Sequence, residues 1–250
     1  MDEKSETVDR LRIGNLQIVQ AEKGYRFSLD PILLSHFAAQ GAADQVVDLG
    51  TGSGVIPLLL AHLTQASRLI GVELQPAQVA RAKRSVELNG LQGRVEIIPG
   101  DVRLIRQLLP VGQADLVVAN PPFRKPGSGR VAPEDERAAA RHELSGGLRE
   151  FVAAASWLLA NRGRFVIIYL AERLPELLTL MAEQKLEPKR LRMIHPHQQE
   201  PARLVLVEGR KNSSAGVLVE APLYIYKGSG GGREYTDDVL EMYADRTGDA

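Results

Sequence analysis

The chain has 250 residues, 44% of them hydrophobic and none of them cysteine, which is enough to bury a substantial core and excludes disorder as the main state. Without cysteine there are no disulfides, thiolate nucleophiles, iron–sulfur clusters or cysteine-built zinc sites, and no run reaches the roughly 18–20 apolar residues of a membrane-spanning helix. Thirty-one basic residues balance 31 acidic ones, which argues against indiscriminate nucleic-acid binding, yet acids crowd the first nine residues and the last 17, leaving 29 basic against 21 acidic residues in positions 10–233. The N-terminus MDEKSETVDR is acidic and polar where a signal peptide is basic and then apolar, so a soluble cytoplasmic protein is expected.

Residues 1–44 read as an extension closing with an entry helix in GYRFSLDPILLS, where Ser28 or Asp30 can cap the helix. From residue 45 onward, strand-length apolar runs alternate with helical patterns, the signature of βαβ units. The strands are QVVDLG, RLIGVE, RVEIIP, ADLVVAN, GRFVIIY and RLVLVEG, starting at 45, 68, 94, 114, 163 and 203. The helices are VIPLLLAHLTQ after Gly54, PAQVARAKRSVELNG with Pro76 at its start and Gly90 at its stop, and LREFVAAASWLLANRG ending at Gly163. A single α/β domain over 45–250 follows, with one doubly wound, mostly parallel sheet. It carries a long 120–143 connection, a length that favours a functional loop, and a short C-terminal extension containing GSGGG at 228–232 as a flexible turn or linker.

QVVDLG runs straight into Gly50-Thr51-Gly52-Ser53-Gly54 and a helix, so a ligand can approach the backbone closely at the switch point of the sheet. The spacing is G-x-G-x-G, which fits neither the dinucleotide G-x-G-x-x-G nor a phosphate-binding P-loop. Glu73 closes the second strand 19 residues beyond Gly54, where a carboxylate can accept both ribose hydroxyls of a nucleoside. Asp101 closes the third strand, where it can accept an exocyclic adenine amine. With Asp48 these groups form an adenosine site lacking phosphate-binding features. The combination resembles the class I S-adenosylmethionine-dependent methyltransferases, which implies a Rossmann-like seven-stranded sheet, S-adenosyl-L-methionine as cofactor, and Asp48, Gly50, Gly52, Gly54, Glu73, Asp101 and Asn120 around it.

The fourth strand ends in Asn120-Pro121-Pro122-Phe123. Two prolines hold the backbone extended and remove two N–H donors, so the preceding carbonyls face outward. The Asn120 side-chain oxygen and the Pro121 carbonyl can each take one hydrogen bond from a flat NH₂, and Phe123 offers a face for the ring that bears it. The tetrapeptide resembles the N-P-P-[YFW] motif of methyltransferases acting on adenine N6 or on a glutamine amide. No general base is required: bonding both amine protons draws the nitrogen lone pair out of conjugation, and water can take the proton after transfer.

Fewer than 45 residues precede the first strand, too few for the helical domain expected of glutamine methyltransferases, and DNA is disfavoured because only the 124–143 loop and a short C-terminal region could serve as a target-recognition domain. The segment LRIGNLQIVQAEKGYRFSLDPILLSHFA, NPPF with a basic loop ending in ARHE at 140–143, and the tail RLVLVEGRK…APLYIYKGSGGGREYTDDVLEMY are similar to the bacterial valine-tRNA adenine N6-methyltransferases. That resemblance spans almost the whole chain. It implies N6-methylation of the adenosine 3′ of the anticodon, with Ser28 and Asp30 at the cofactor's aminoacyl end and tRNA as partner of a monomer or weak homodimer, without membrane or metal. Basic residues for RNA are Arg124, Lys125, Arg130 and Arg141 in the loop and Arg210 and Lys211 in the second cluster, with Tyr25 and Phe27 the nearest stacking aromatics. The competing readings are methylation of another RNA such as rRNA, methylation of a protein glutamine amide, and a cofactor-binding RNA module without turnover. His195-Pro196-His197 with Glu200 reads as a surface loop and not as a metal site.

Overall fold

The computed structural model describes residues 6–22, 28–122, 147–229 and 232–244. A ribbon of two antiparallel strands, β1 (Glu6–Arg10) and β2 (Gln17–Ala21), precedes helix α1 (Asp30–Ala38). Then follow β3 (Gln45–Leu49), α2 (Val55–Leu63), β4 (Arg68–Glu73), α3 (Pro76–Leu88), β5 (Val95–Pro99), the short α4 (Ile105–Leu108) and β6 (Ala114–Ala119). The second half holds α5 (Leu148–Leu158), β7 (Leu159–Leu170), α6 (Leu174–Glu183), β8 (Leu186–His195), β9 (Leu204–Lys211), the two-residue β10 (Leu218–Val219) and β11 (Leu223–Tyr224), and α7 (Asp237–Tyr243). The main sheet runs β10-β8-β9-β7-β6-β3-β4-β5, with β11 also on β8, and only β9 is antiparallel to its neighbours. The six strands read from the sequence are β3, β4, β5, β6, β7 and β9; β8 brings the count to the seven that the resemblance implies, and the two short ones extend the edge to nine.

Alternation along the strands builds a core on each face. Val46, Val118, Val166 and Leu206 meet α1, α2 and α3 on one side, while Val47, Val117, Phe165 and Val207 meet α4, α5 and α6 on the other. One expected boundary needs correction, and two elements were not read from the sequence. The helix expected to end at Gly163 ends at Leu158, because β7 begins at Leu159. Gly163 sits where β7 irregularly meets β6, and a Cβ there would come within 3.1 Å of the Ala114 carbonyl oxygen. Strand β8 and helix α6 were not expected at all. Six of the ten residues of β8 are lysine, arginine, proline, glutamate or histidine, which masks the alternation of a strand near the sheet edge.

Both ends of the first face are tied down. Asn89 and Ser85 of α3 stand in for a strand beside β2: Gln17 N–H donates to Asn89 Oδ1 at 2.9 Å, Asn89 Nδ2 returns a bond to the Gln17 carbonyl at 2.7 Å, and Val19 N–H donates to Ser85 Oγ at 2.9 Å. At the other end of α1, the buried Arg164 guanidinium donates to the Ala38 and Gly41 carbonyls at 3.1 and 2.8 Å, and Arg190 donates to the Phe37 carbonyl at 2.8 Å. Glu208, buried between the two arginines, accepts from both at 3.3 Å. The helix that starts at Asp30 is therefore held at its far end.

Candidate active site at the switch point of the sheet

β3 pairs with β4 on one side and β6 on the other, and the chain leaves in opposite directions from these two, so the C-terminal edge opens a crevice between β3 and β6. Leu49 lies opposite both Val72 and Ala119, which brings the turn at Gly50, Glu73 and Asn120 to one level. With strands about 4.8 Å apart, Glu73 and Asn120 flank the turn at a separation of about 10 Å, and Asp101 follows one strand beyond Glu73.

The turn needs its glycines: Gly50, Gly52 and Gly54 have φ of 74°, 58° and 83°, a region costly for residues with a Cβ. Space sharpens the requirement at Gly54, where a Cβ would approach Ala82 Cβ at 3.2 Å and pry α2 from α3, whereas nothing lies within 4 Å of the Gly52 position. Glu73, 6% exposed, is held by the loop it serves, with Gly52 N–H donating to Oε2 at 2.9 Å and Gln75 N–H to Oε1 at 2.7 Å. Each oxygen keeps one acceptor position. Asp48 is 1% exposed and neither carboxylate oxygen has a hydrogen-bond partner; the buried Thr51 hydroxyl also lacks one. Burial pushes the Asp48 carboxyl up to about 7, against a lowering pull from neighbouring Thr51, with the Glu73 charge raising it further. Asp101 caps the turn at Val102–Leu104 and is held below its ordinary range by the Arg103 guanidinium. Asp30 lies in the first turn of α1, its carboxyl raised by burial and lowered by Ser28, and its N–H reaches Ser28 Oγ only at 3.4 Å. The cap residue is Leu29, so Ser28 precedes the helix by two positions and does not cap it as expected.

The methyltransferase small domain family matches residues 29–181, more than half of the chain. The chain belongs to that family. One relative of this methyltransferase is the tRNA1(Val) (adenine(37)-N6)-methyltransferase of Porphyromonas gingivalis, 34% identical over 205 residues and covering 79% of each chain. Among solved structures, a predicted O-methyltransferase of Agrobacterium tumefaciens matches at TM-score 0.67 and 23% identity, covering 86% of this chain and 97% of that one. The P. horikoshii TYW2 protein in complex with MeSAdo matches at TM-score 0.58 and 16% identity, covering 85% and 74%. These two share the fold of the methyltransferase, which is the class I, Rossmann-like architecture, and its cofactor is S-adenosyl-L-methionine. The residues present fit that cofactor: the spare acceptor positions on Glu73, the two orphaned oxygens of Asp48, and the unobstructed Gly52 offer what a nucleoside with an amino-acid tail requires.

Asp48, Gly50, Gly52, Gly54, Glu73, Asp101 and Asn120 are thus brought to one edge. Asn120 and Pro122 are partly exposed there, Pro121 is buried, and among the described residues the Asn120 amide has no hydrogen-bond partner. Phe123, Arg124, Lys125, Arg130 and Arg141, like Tyr25 and Phe27, lie outside the described residues. Arg210 and Lys211 do not flank the site, contrary to expectation. Because β9 runs antiparallel, its last residues lie at the opposite edge, where Lys211 Nζ donates to the Ser156 and Leu159 carbonyls at 2.7 and 2.8 Å. The His195–Glu200 segment is also more than a surface loop. His197 is 5% exposed and tilts against Tyr226 with ring centroids 5.4 Å apart, and His195 Nδ1 lies 2.8 Å from the Glu200 carbonyl. Among the described residues no cluster of three or more His, Asp or Glu is placed to hold a metal, and no helix is long and apolar enough to cross a membrane. Sequence reasoning missed Thr51 and Arg103. The first is signalled only by its place inside the glycine turn, the second by an arginine two residues after the strand-end acid.

Proposed function

We propose that this methyltransferase methylates N6 of an adenine in tRNA, the adenosine 3′ of the anticodon in a valine tRNA, in the cytoplasm. The observation that carries the proposal is Asn120-Pro121-Pro122 at the end of β6, on the strand adjoining the glycine turn; the name of the Porphyromonas gingivalis relative supports the choice of nucleic acid. S-adenosyl-L-methionine, when bound, supplies the methyl group on a positively charged sulfur. Glu73 holds the ribose through its two spare acceptor positions, Asp101 takes the adenine amine of the cofactor, and Asp48, Ser28 and Asp30 line the amino-acid end. Asn120 Oδ1 and the Pro121 carbonyl accept the two protons of the substrate amine, fixing its plane and turning its lone pair toward the glycine turn. The buried Pro121 and the absence of N–H donors at both prolines keep those acceptors from being satisfied by the backbone.

Incubating the protein with labelled cofactor and tRNA lacking modifications, followed by nucleoside mass spectrometry, is expected to place the label in N6-methyladenosine of valine tRNA. Label in ribosomal RNA alone, or in a protein glutamine, overturns the proposal. Glu73→Ala is expected to weaken cofactor binding about 10- to 100-fold by calorimetry, since a charged acceptor of two hydroxyl bonds contributes about 1.5–3 kcal/mol. An unchanged dissociation constant removes Glu73 from the ribose site.

A further inference from the structure

We propose that Arg103 competes with the cofactor's adenine for the Asp101 carboxylate and thereby sets how tightly the adenine end is held. The inference rests on the reading above that Asp101 accepts the adenine amine. It comes from a contrast between the two strand-end acids. Glu73 receives one backbone N–H on each oxygen and keeps a position free on each. At Asp101, Oδ1 takes the Arg103 backbone N–H at 2.9 Å and Nε at 3.0 Å, while Oδ2 takes Nε at 2.9 Å and Nη2 at still closer range.

A carboxylate offers about four acceptor positions, and among the described residues those of Asp101 are covered by three N–H groups of Arg103, with Nε shared between both oxygens. The Asp101 side chain is only 12% exposed, so no further donor reaches it from solvent unless something leaves. The guanidinium can leave: the Arg103 side chain is 44% exposed, and an ion pair of that exposure holds weakly. The backbone N–H, fixed by the turn at Val102–Leu104, stays. An incoming adenine amine therefore takes the place of the Nε and Nη2 bonds of the guanidinium, where at Glu73 the ribose hydroxyls add bonds without displacing any. Arg103 keeps the Asp101 carboxylate satisfied from within the chain, and the adenine end binds less tightly than the acid alone would allow.

The test measures binding of S-adenosylhomocysteine, which lacks the sulfonium charge, by calorimetry. Arg103→Ala is expected to tighten it about three- to tenfold, the scale of one hydrogen bond of about 1 kcal/mol, whereas the analogue bearing a 6-oxo group in place of the adenine amine does not tighten. Asp101→Ala is expected to loosen S-adenosylhomocysteine; thermal denaturation without ligand checks folding, and Asp101→Ser retains the cap if the alanine variant does not fold. Unchanged or weaker binding in Arg103→Ala, with Asp101→Ala still loosening, overturns the competition and leaves the adenine reading standing. Equal tightening of the amine and 6-oxo forms, or tightening confined to S-adenosylmethionine, also overturns it, since either means a general effect of removing a cation. No loss in the Asp101 variants removes the adenine reading itself, and the proposal with it.

Discussion

Asn120→Ala is expected to lower single-turnover methylation about 10²–10³-fold, the scale for losing one preorganised polar contact in a transition state, with melting temperature and cofactor affinity nearly unchanged. The reason lies in where Asn120 stands. It follows the last residue of β6, its amide has no partner among the described residues, and buried Pro121 anchors the backbone behind it. Its removal takes little from the fold. What it removes is one of two acceptors that hold the substrate amine, an interaction that gains strength as the nitrogen begins to carry positive charge. A residue needed only for the turn gives the reverse pattern, a loss of stability with a near-normal rate. Measuring all three quantities on one preparation separates the two, and near-normal single-turnover rates reject the amine-acceptor role.

Asp48→Asn is expected to act in opposite directions on the empty protein and on its cofactor complex. Burial lifts the Asp48 carboxyl from 3.8 to about 7 in the folded chain. Below about pH 4 it is protonated in both folded and unfolded states. As pH rises from about 4 to 7 the unfolded chain loses this proton and the folded chain keeps it, so stability falls, and above pH 7 a deficit on the order of 4 kcal/mol persists. Asparagine is neutral throughout. The variant should melt well above the native protein at pH 8, and the difference should shrink toward pH 4. The complex behaves otherwise if the orphaned oxygens of Asp48 receive donors from the cofactor. Binding then favours the ionised form, expels the proton, and strengthens as pH rises through the acidic range toward 7. Calorimetry in buffers of different ionisation enthalpy reads this proton release directly. In the asparagine variant, binding should be weaker and flat over the same range, whereas pH-independent native binding would remove Asp48 from the cofactor site.

The parts of the site legible in the sequence are those whose chemistry is local. Three glycines in five residues, an acid at the end of the next strand and an asparagine before two prolines each announce a backbone requirement at a strand end, and parallel pairing then brings the strand ends together. Direction along a strand is not local. Nothing in LVLVEGRK says that β9 runs against its neighbours, so a cluster expected beside the pocket lies at the far edge, with Lys211 serving helix and strand carbonyls. Strand β8 is hard to read because its cationic residues find partners that no alternation of hydrophobicity records: Arg190 pairs with Glu208 of β9 at 3.3 Å and lies over the Phe37 ring of α1 at 4.0 Å, and Arg192 donates to the Ala221 carbonyl at 3.1 Å. Arg103 became visible only once its guanidinium could be placed against Asp101.

The docking of β2 on α3 also bears on how the chain behaves among its own copies. A strand in a two-stranded ribbon normally presents one row of unpaired amides and carbonyls to solvent, and such a row is a template for adding a strand from another molecule. Here Asn89 and Ser85 answer that row at Gln17 and Val19. A helix side chain thus does what a third strand would do, and it does so without extending the sheet. The outer row of β2 is answered at Gln17 and Val19, so the ten-residue ribbon does not offer that stretch to intermolecular pairing.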